Sequence, residues 1–430
     1  MPVPKTLYET KEMRSFYYYA RYIVARIFYL SLGLKVKKQF LYINKCWNEK
    51  NNREPEIFKH TIENKKLNYC ERKEISKNSP EYIKPTTKKM LIEQSEKLKE
   101  RTDLYKRKTS GTTGEPTKIY LNRHELGKLL AVRDYCYRHY NIKLGYREGR
   151  VWARSNRDIG TFFKDFLLNR KTFYPTSEEA LEQTTSLLKY KPQYLYGYSS
   201  LILELSKIIV TNKLEVPQIK CVICTAEPIL TSQKVHLESI FSCPVVEEYG
   251  STEFDILAFE CRKGHMHQVN PWIKIEVENS TTMITDFSRT TQKIIRYLIG
   301  DHFDIAQTQC TLLGSNNIIT NLEGRSTDRY AFDKNGTKFH SVELSRSIGK
   351  YQKLNDTYFT FHILQKELGK IILYLPYELQ EKSTKIRNFI ESEITHNTNL
   401  KIEIKIIIVQ PQEVRKETKK NSYFTQCINT

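Results

Sequence analysis

The chain has 430 residues, a formal net charge of +20 and 39% hydrophobic residues, 12% of the chain being aromatic. That length leads us to expect two or three domains with ample side chains for a large core. Nine cysteines, odd in number and without a framework spacing, argue against a disulfide scaffold and for reduced thiols in a cytosolic setting. The basic balance suits anionic small molecules or an anionic membrane. Nucleic acid is not expected as a partner, since no zinc-finger, RNP-like aromatic or basic-helix pattern accompanies the charge.

In chain order, no cleavable signal is evident. The run from Phe16 to Leu32 is apolar but carries Arg21 and Arg26 and falls short of the roughly 20 residues a membrane span requires. It suits either a helix packed on the body or one lying on a membrane surface, and Lys35, Lys37 and Lys38 behind it keep peripheral membrane contact open. Residues 1–104 read as helical and charged, with helical spacing in Lys88 to Leu98. From 105 onward short apolar runs alternate with helical patterns. Strands are expected at Ile119–Leu121, Tyr194–Tyr196, Cys221–Cys224 and Val245–Val246, and helices at Pro175–Tyr190 and Ser199–Val210. This alternation predicts an α/β fold with parallel strands. After Gly324 the pattern becomes α+β: strands at Phe359–Leu364 and Lys370–Leu375, a helix over Ser383–Thr395, and a strand over Lys401–Val409.

The most informative segment is Thr109 to Lys118, Thr-Ser-Gly-Thr-Thr-Gly-Glu-Pro-Thr-Lys. Gly111 and Gly114 let backbone N–H groups approach a phosphate closely, and Ser110, Thr112 and Thr113 add hydroxyl donors. The spacing is not that of a Walker loop, because Lys118 follows a proline instead of closing the glycine loop.

This loop resembles the phosphate-binding signature of the adenylate-forming superfamily, and further matches follow in the family's order. Ala226-Glu227-Pro228 resembles the stretch that meets adenine, and Tyr249-Gly250-Ser251-Thr252-Glu253 the core Tyr-Gly-x-Thr-Glu motif. Tyr297 to Asp301 resembles Tyr-x-x-Gly-Asp, and Gly324 to Asp328 the Gly-Arg-Ser-x-Asp that leads into a small mobile C-terminal domain. Loop spacing and the segment Tyr196-Gly197-Tyr198-Ser199 look most like the phenylacetate-CoA ligase branch, including its capsular polysaccharide relatives. The resemblance implies a large α/β domain, with residues 1–104 as its helical start and 105–324 as the AMP-binding core, followed by an α+β lid over 325–430.

It also implies activation of a small carboxylic acid with ATP and Mg²⁺, followed by transfer to coenzyme A. Bringing a carboxylate against a phosphate sets two anions together, so donors and a metal are required. Glu253 is the Mg²⁺ candidate, Tyr249 can stack on adenine, Thr252 can donate to the α-phosphate, Asp301 can accept ribose hydroxyls, and Arg325 can bind ribose or phosphate oxygens. Lys118 can add charge. Tyr196 to Ser199, together with Ala226–Pro228 and Glu248–Phe254, are the expected pocket segments.

Departures from the pattern are specific. The hinge position is Thr327, with Asp328 next, and the C-terminal Gly-Lys lacks its glycine, leaving Lys420, or Lys419, as the lysine for the acyl-phosphate. Cys261, His267 and Cys310, with His265 as a fourth donor, could hold zinc as branch relatives do, or be buried thiols beside surface histidines; Leu312 replaces a further cysteine of the family's pattern. Two other readings stay open: delivery of an acyl or aminoacyl group to a sugar or carrier in capsule synthesis, and a degenerate nucleotide-binding protein of that pathway.

Overall fold

The computed structural model describes residues 11–48, 85–108, 118–152, 159–175, 179–278, 281–325, 330–355, 357, 359, 361–398, 400–410 and 424–426. Two helices, α1 (Lys11–Ser31) and α2 (Val36–Asn48), open it. Helix α3 (Lys88–Lys97) is N-capped by Thr87, whose hydroxyl accepts from the Met90 N–H. Strands β1 (Tyr105–Lys108) and β2 (Lys118–Leu121) form an antiparallel pair that holds the two ends of the glycine-rich loop opposite each other, Lys108 against Lys118. Helix α4 (Arg123–Arg138) starts with a capping box in which Asn122 and Glu125 satisfy each other's backbone N–H groups. Residues of α2 and α4 then share one apolar cluster, Ile43 with Ala131, Val132 and Cys136.

The β/α alternation follows: β3 (Glu148–Val151), α5 (Ile159–Leu167), β4 (Arg170–Phe173), α6 (Ala180–Tyr190), β5 (Tyr194–Tyr198), α7 (Ser199–Thr211), β6 (Val222–Thr225), α8 (Thr231–Phe241) and β7 (Val245–Ser251). The antiparallel strands are β8 (Asp255–Glu260), β9 (Met266–Gln268), β10 (Ile273–Glu278), β11 (Thr281–Asp286), β12 (Ile294–Leu298), β13 (Asp301–Gln307) and β14 (Asn317–Arg325). Among the described residues the main sheet runs β13-β14-β9-β8-β7-β6-β5-β3-β4, while β10, β11 and β12 form a separate three-stranded sheet. From β4 to β7 all pairings are parallel; from β7 to β13 all are antiparallel. Strand β6, apolar at Val222, Ile223 and Cys224 and ending in the buried Thr225, is covered on both faces, as a parallel strand between helices must be.

The expected α/β class is thus borne out, with a second, antiparallel half that the alternation did not announce. The helix expected from Pro175 begins at Ala180, and the strand expected over Phe359–Leu364 lies at His362–Glu367.

The C-terminal part contains β15 (Tyr330–Phe332) paired with β16 (Lys338–His340), helix α9 (Val342–Leu354), β17 (His362–Glu367), β18 (Lys370–Pro376), helix α10 (Ser383–Thr398), β19 (Glu403–Val409) and β20 (Phe424–Gln426). Its sheet order is β19-β18-β17-β20. Leu344, Ile348, Ile386, Ile390, Leu373 and Phe424 meet in a core made only of residues from this part. Each such side chain, fully buried, contributes roughly 1.5–3 kcal/mol. Among the described residues no helix is long and apolar enough to cross a membrane.

Candidate functional site

Strand order places the chemistry. The chain leaves β3 toward β4, then returns past β3 to lay down β5, β6 and β7 on its other side. A reversal of this kind opens a crevice at the carboxyl ends of the strands, where open α/β sheets bind ligands. At that edge Tyr198 is in register with Thr225, and Thr225 with Glu248. The expected segments Tyr198–Ser199, Ala226–Pro228 and Tyr249–Glu253 therefore emerge side by side. Trp152, directly after β3, stacks on Tyr198 with ring centroids 4.1 Å apart.

Ala226 holds a left-handed backbone (φ 66°), a conformation that costs an L-residue energy and recurs at ligand sites. It turns the chain so that Glu227 folds back onto α7: the Ser200 N–H donates to Glu227 Oε2 (2.9 Å) and the Ser199 hydroxyl to its carbonyl (2.9 Å). Ala226 and Pro228 are exposed at the edge. Glu227 thus serves as an acidic cap on a helix N-terminus, favoured by the helix dipole.

Two hydroxyl–carboxylate hydrogen bonds join the next two motifs. Tyr249 donates to Asp301 Oδ2 at 2.9 Å, and Tyr297 donates to Glu253 Oε1 at 3.2 Å. In a flat sheet β7 and β13, four strand spacings apart, would be roughly 19 Å from each other. That half of the sheet must curl for Tyr249 to reach Asp301. Gly300, at φ +79°, makes the turn between β12 and β13 that lets Tyr297 and Asp301 point to different partners of one motif. Asp301 also lies opposite Arg325 in the β13–β14 ladder. Gly250 has no room for a side chain, because a Cβ there would sit 1.8 Å from the Asp255 carbonyl oxygen. The Ser251 hydroxyl is buried without a hydrogen-bond partner, and the Glu253 carbonyl accepts from Arg289 Nη2 at 2.9 Å.

Beneath this turn lies a charged network that the sequence did not disclose. Arg107, in β1, and Arg133, in α4, both bind Asp255 Oδ1, at 3.0 and 3.1 Å. Arg133 also lies 3.7 Å from Glu248, whose carboxylate accepts from Tyr196 (3.0 Å) and Tyr137 (3.4 Å). Burial pushes Asp255 up, yet Arg133 and Arg107 outweigh it and hold the carboxyl below its ordinary range. For Glu248 burial wins and, with Asp255 adding to it, raises the carboxyl despite Arg133. Tyr196 is buried with its hydroxyl engaged here, below the edge, whereas Tyr198 is half-buried at it. Gly197 lies between them, its Cβ position filled by the Val151 backbone at 2.2 Å.

Lys118 forms an exposed contact with Glu96 at 3.5 Å. Thr252 sits in the turn between β7 and β8. Ser110, Gly111, Thr112, Thr113 and Gly114, the hinge residues Thr327 and Asp328, and Lys419 and Lys420 lie outside the described residues.

A second cluster assembles at the β8–β9 turn and the β13–β14 connection. One ligand-type atom from each of Cys261, His265, His267 and Cys310 lies within 4.8 Å of all the others. The two sulfurs are 3.9 Å apart, too far for a disulfide and close to the roughly 3.8 Å that two 2.3 Å bonds to a tetrahedral zinc would set. His267 Nδ1 is 2.8 Å from the Ser315 carbonyl, which fixes the proton there and leaves Nε2 turned inward. His267 Nε2 and His265 Nδ1 are both buried without a hydrogen-bond partner. The donor set, the spacing and the two orphaned nitrogens all fit a zinc ion. Leu312 is exposed and stands outside the cluster.

A cleft of about 450 Å³ lies at the opposite end of the sheet, between the carboxyl ends of α7 and α8, lined by Val210, Leu214, Pro217 and Phe241. Lys213, Gln218 and Ser242 also line it, and the motif residues are at the other edge.

No protein-family profile matches the chain. Protein CapK of Staphylococcus aureus is 23% identical over 334 residues, spanning 74% of this chain and 72% of that protein. Among solved structures, 2-hydroxyisobutyryl-CoA ligase in the postadenylation state with 2-HIB-AMP superposes with a TM-score of 0.60 at 13% identity, over 89% of this chain and 90% of that one. The anthranilate-CoA ligase in complex with anthranoyl-AMP superposes with a TM-score of 0.50 at 13% identity, over 71% of this chain and 64% of that one. The chain has the fold of these CoA ligases.

Proposed function

We propose that the chain is an ATP-dependent ligase that activates a carboxylic acid as its adenylate and passes the acyl group on, to coenzyme A in the phenylacetate-CoA ligase manner. The observation that carries this is the pair of hydrogen bonds linking Tyr249 to Asp301 and Glu253 to Tyr297. They bring two motif segments, about 50 residues apart in sequence, into one site at the carboxyl edge, where a nucleotide would lie. In the first step a substrate carboxylate oxygen bonds to the α-phosphorus of ATP and pyrophosphate leaves. In the second, the acceptor sulfur attacks the acyl carbon and AMP leaves.

Asp301, oriented by Tyr249, accepts the ribose hydroxyls, with Arg325 opposite it on β14. The 109–117 loop and Thr252 donate to the phosphates, and Lys420 bridges carboxylate and α-phosphate. Glu253, one oxygen held by Tyr297, would hold Mg²⁺, which supplies neutralisation of phosphate charge. Cys261, His265, His267 and Cys310 would hold a structural zinc that ties the β8–β9 turn to the strands carrying Asp301 and Arg325. Residues 325–430 act as the lid, turning about Thr327 and Asp328, and the protein works in the cytoplasm.

Pyrophosphate release from Mg-ATP against a panel of aryl, fatty and amino acids tests the reading, with Glu253→Ala and Lys420→Ala alongside. Release that depends on one acid and disappears in both variants is expected. ATP binding with no acid-stimulated release would overturn adenylation in favour of a non-catalytic nucleotide-binding protein. Supplying coenzyme A, a carrier protein or a sugar to the preformed adenylate identifies the acceptor.

A further inference from the structure

Helix α1 is apolar on both sides. Its inner side packs on the body: the Tyr18 hydroxyl donates to the Lys191 carbonyl (3.0 Å), Ala25 is fully buried, and Tyr22 lies edge-on to Tyr146. Its outer side carries Phe16, Tyr19, Ile27 and Leu30, each 60–74% exposed. At about 100° per residue these four fall within an ~80° stripe. A surface helix ordinarily turns polar residues outward, so this face is inverted.

Helix α5 extends the patch. Phe162, Phe163 and Phe166 are 50–68% exposed. Arg21 of α1 stacks on the Phe166 ring, 3.9 Å from its centroid, and also donates to the Phe166 carbonyl, so the two helices are neighbours. A contiguous exposed apolar patch rimmed by polar groups marks an interaction surface.

Charge identifies the occupant. From Met13 to Asn48 there is no Asp or Glu, against seven basic residues, Arg14, Arg21, Arg26, Lys35, Lys37, Lys38 and Lys45. On α2, Lys37, Lys38 and Lys45 are exposed around an exposed Leu41. A second copy of the same face would set like charges opposite each other, which disfavours a dimer through it. Glu12 on α1 and Asp165 on α5, the latter paired with Arg170, leave the surround strongly basic in balance, and an apolar centre with such a surround fits a layer that is apolar inside and anionic at its surface. We propose that the α1, α2 and α5 face docks on an anionic phospholipid bilayer, with the aromatic side chains entering the headgroup boundary and the lysines on the phosphates.

The test is co-sedimentation of the full chain with phosphatidylcholine vesicles and with vesicles containing about 30% phosphatidylglycerol. It compares the native chain with Phe162→Ser/Phe163→Ser and with Lys37→Glu/Lys38→Glu. All substituted side chains are exposed, and equal denaturation midpoints verify that the variants fold. Binding to the anionic vesicles alone, weakened about tenfold or more by either double variant, is expected. The proposal is overturned if the native chain stays in the supernatant, if binding depends on the lysines but not on the phenylalanines, or if the phenylalanine variant instead dissociates an oligomer.

Discussion

Replacing Arg133 by methionine probes the charged network beneath the motif turn while keeping much of the side-chain volume. Arg133 lies 3.1 Å from Asp255 and 3.7 Å from Glu248. At an effective dielectric of about 20 those two attractions amount to about 5 and 4 kcal/mol before the cost of desolvating the ions. What the variant loses is the compensation of carboxylates that stay buried, so the expected destabilisation is about 3–5 kcal/mol. The sign of the pH dependence is a second reading. Burial already raises Glu248 above its ordinary value, and Arg133 is the largest influence lowering it. Without Arg133 the folded state holds a proton on Glu248 more tightly than the unfolded chain does. Stability of the variant then rises as pH falls toward the ordinary carboxylate range, and its deficit against the native chain shrinks. Asp255 acts oppositely in the native chain: its depressed value gives stability above the ordinary carboxylate range that is lost as pH falls further. Urea unfolding at pH 7 and about 5.5, with Arg133→Met/Glu248→Gln as a partner variant that recovers part of the loss, measures both. A loss under about 1 kcal/mol, or one that is the same at both pH values, would refute the reasoning.

Gly250→Ala forces a Cβ to 1.8 Å from the Asp255 carbonyl, so β7 and β8 must separate; a loss of more than about 2 kcal/mol in the urea midpoint is expected. Tyr249→Phe removes the donor that orients Asp301, and calorimetry should find ATP binding weaker by about 1 kcal/mol, roughly fivefold in Kd, with the fold intact. Elemental analysis of the purified chain should find about one zinc per molecule. Cys310→Ser should lose it together with several degrees in Tm, whereas Leu312→Ser, outside the cluster, should lose neither.

Elements with short-range causes were legible in the sequence. Strands β5 and β6 read as apolar runs because they are buried on both faces, β7 only in its Val245–Val246 start, and α7 follows β5 at once as expected. The strand at Phe359–Leu364 was placed too early because Phe359 and Phe361 look like its apolar face. The β17–β18 hairpin sets the register instead, closing at Leu368-Gly369 with Glu367 opposite Lys370, which pulls the strand to His362–Glu367. Cys261, His265, His267 and Cys310 stood out by residue type, but only the fold shows that all four meet. Arg107, Arg133 and Asp255 carried no signal at all. Their partners lie 148 and 122 positions away, and a lone arginine in a charged chain looks like a solvated one.

The network joins the end of the motif turn to the strand that leads into the glycine-rich loop. Arg107 is the penultimate residue of β1, and Lys108 pairs with Lys118 across the base of the loop. Asp255 follows the Thr252–Phe254 turn directly and itself holds a left-handed backbone (φ 62°), a conformation aspartate tolerates better than most residues. The Arg107–Asp255 contact therefore fastens the base of the loop to the end of the turn, with Arg133 fixing both to α4. Loops tolerate change when nothing beneath them is fixed, and both of these are fixed at their bases by buried charge. In the proposed reaction such fixed bases would hold the groups that bind phosphate, where a shift of about 1 Å in a positioning group can cost about 100-fold in rate.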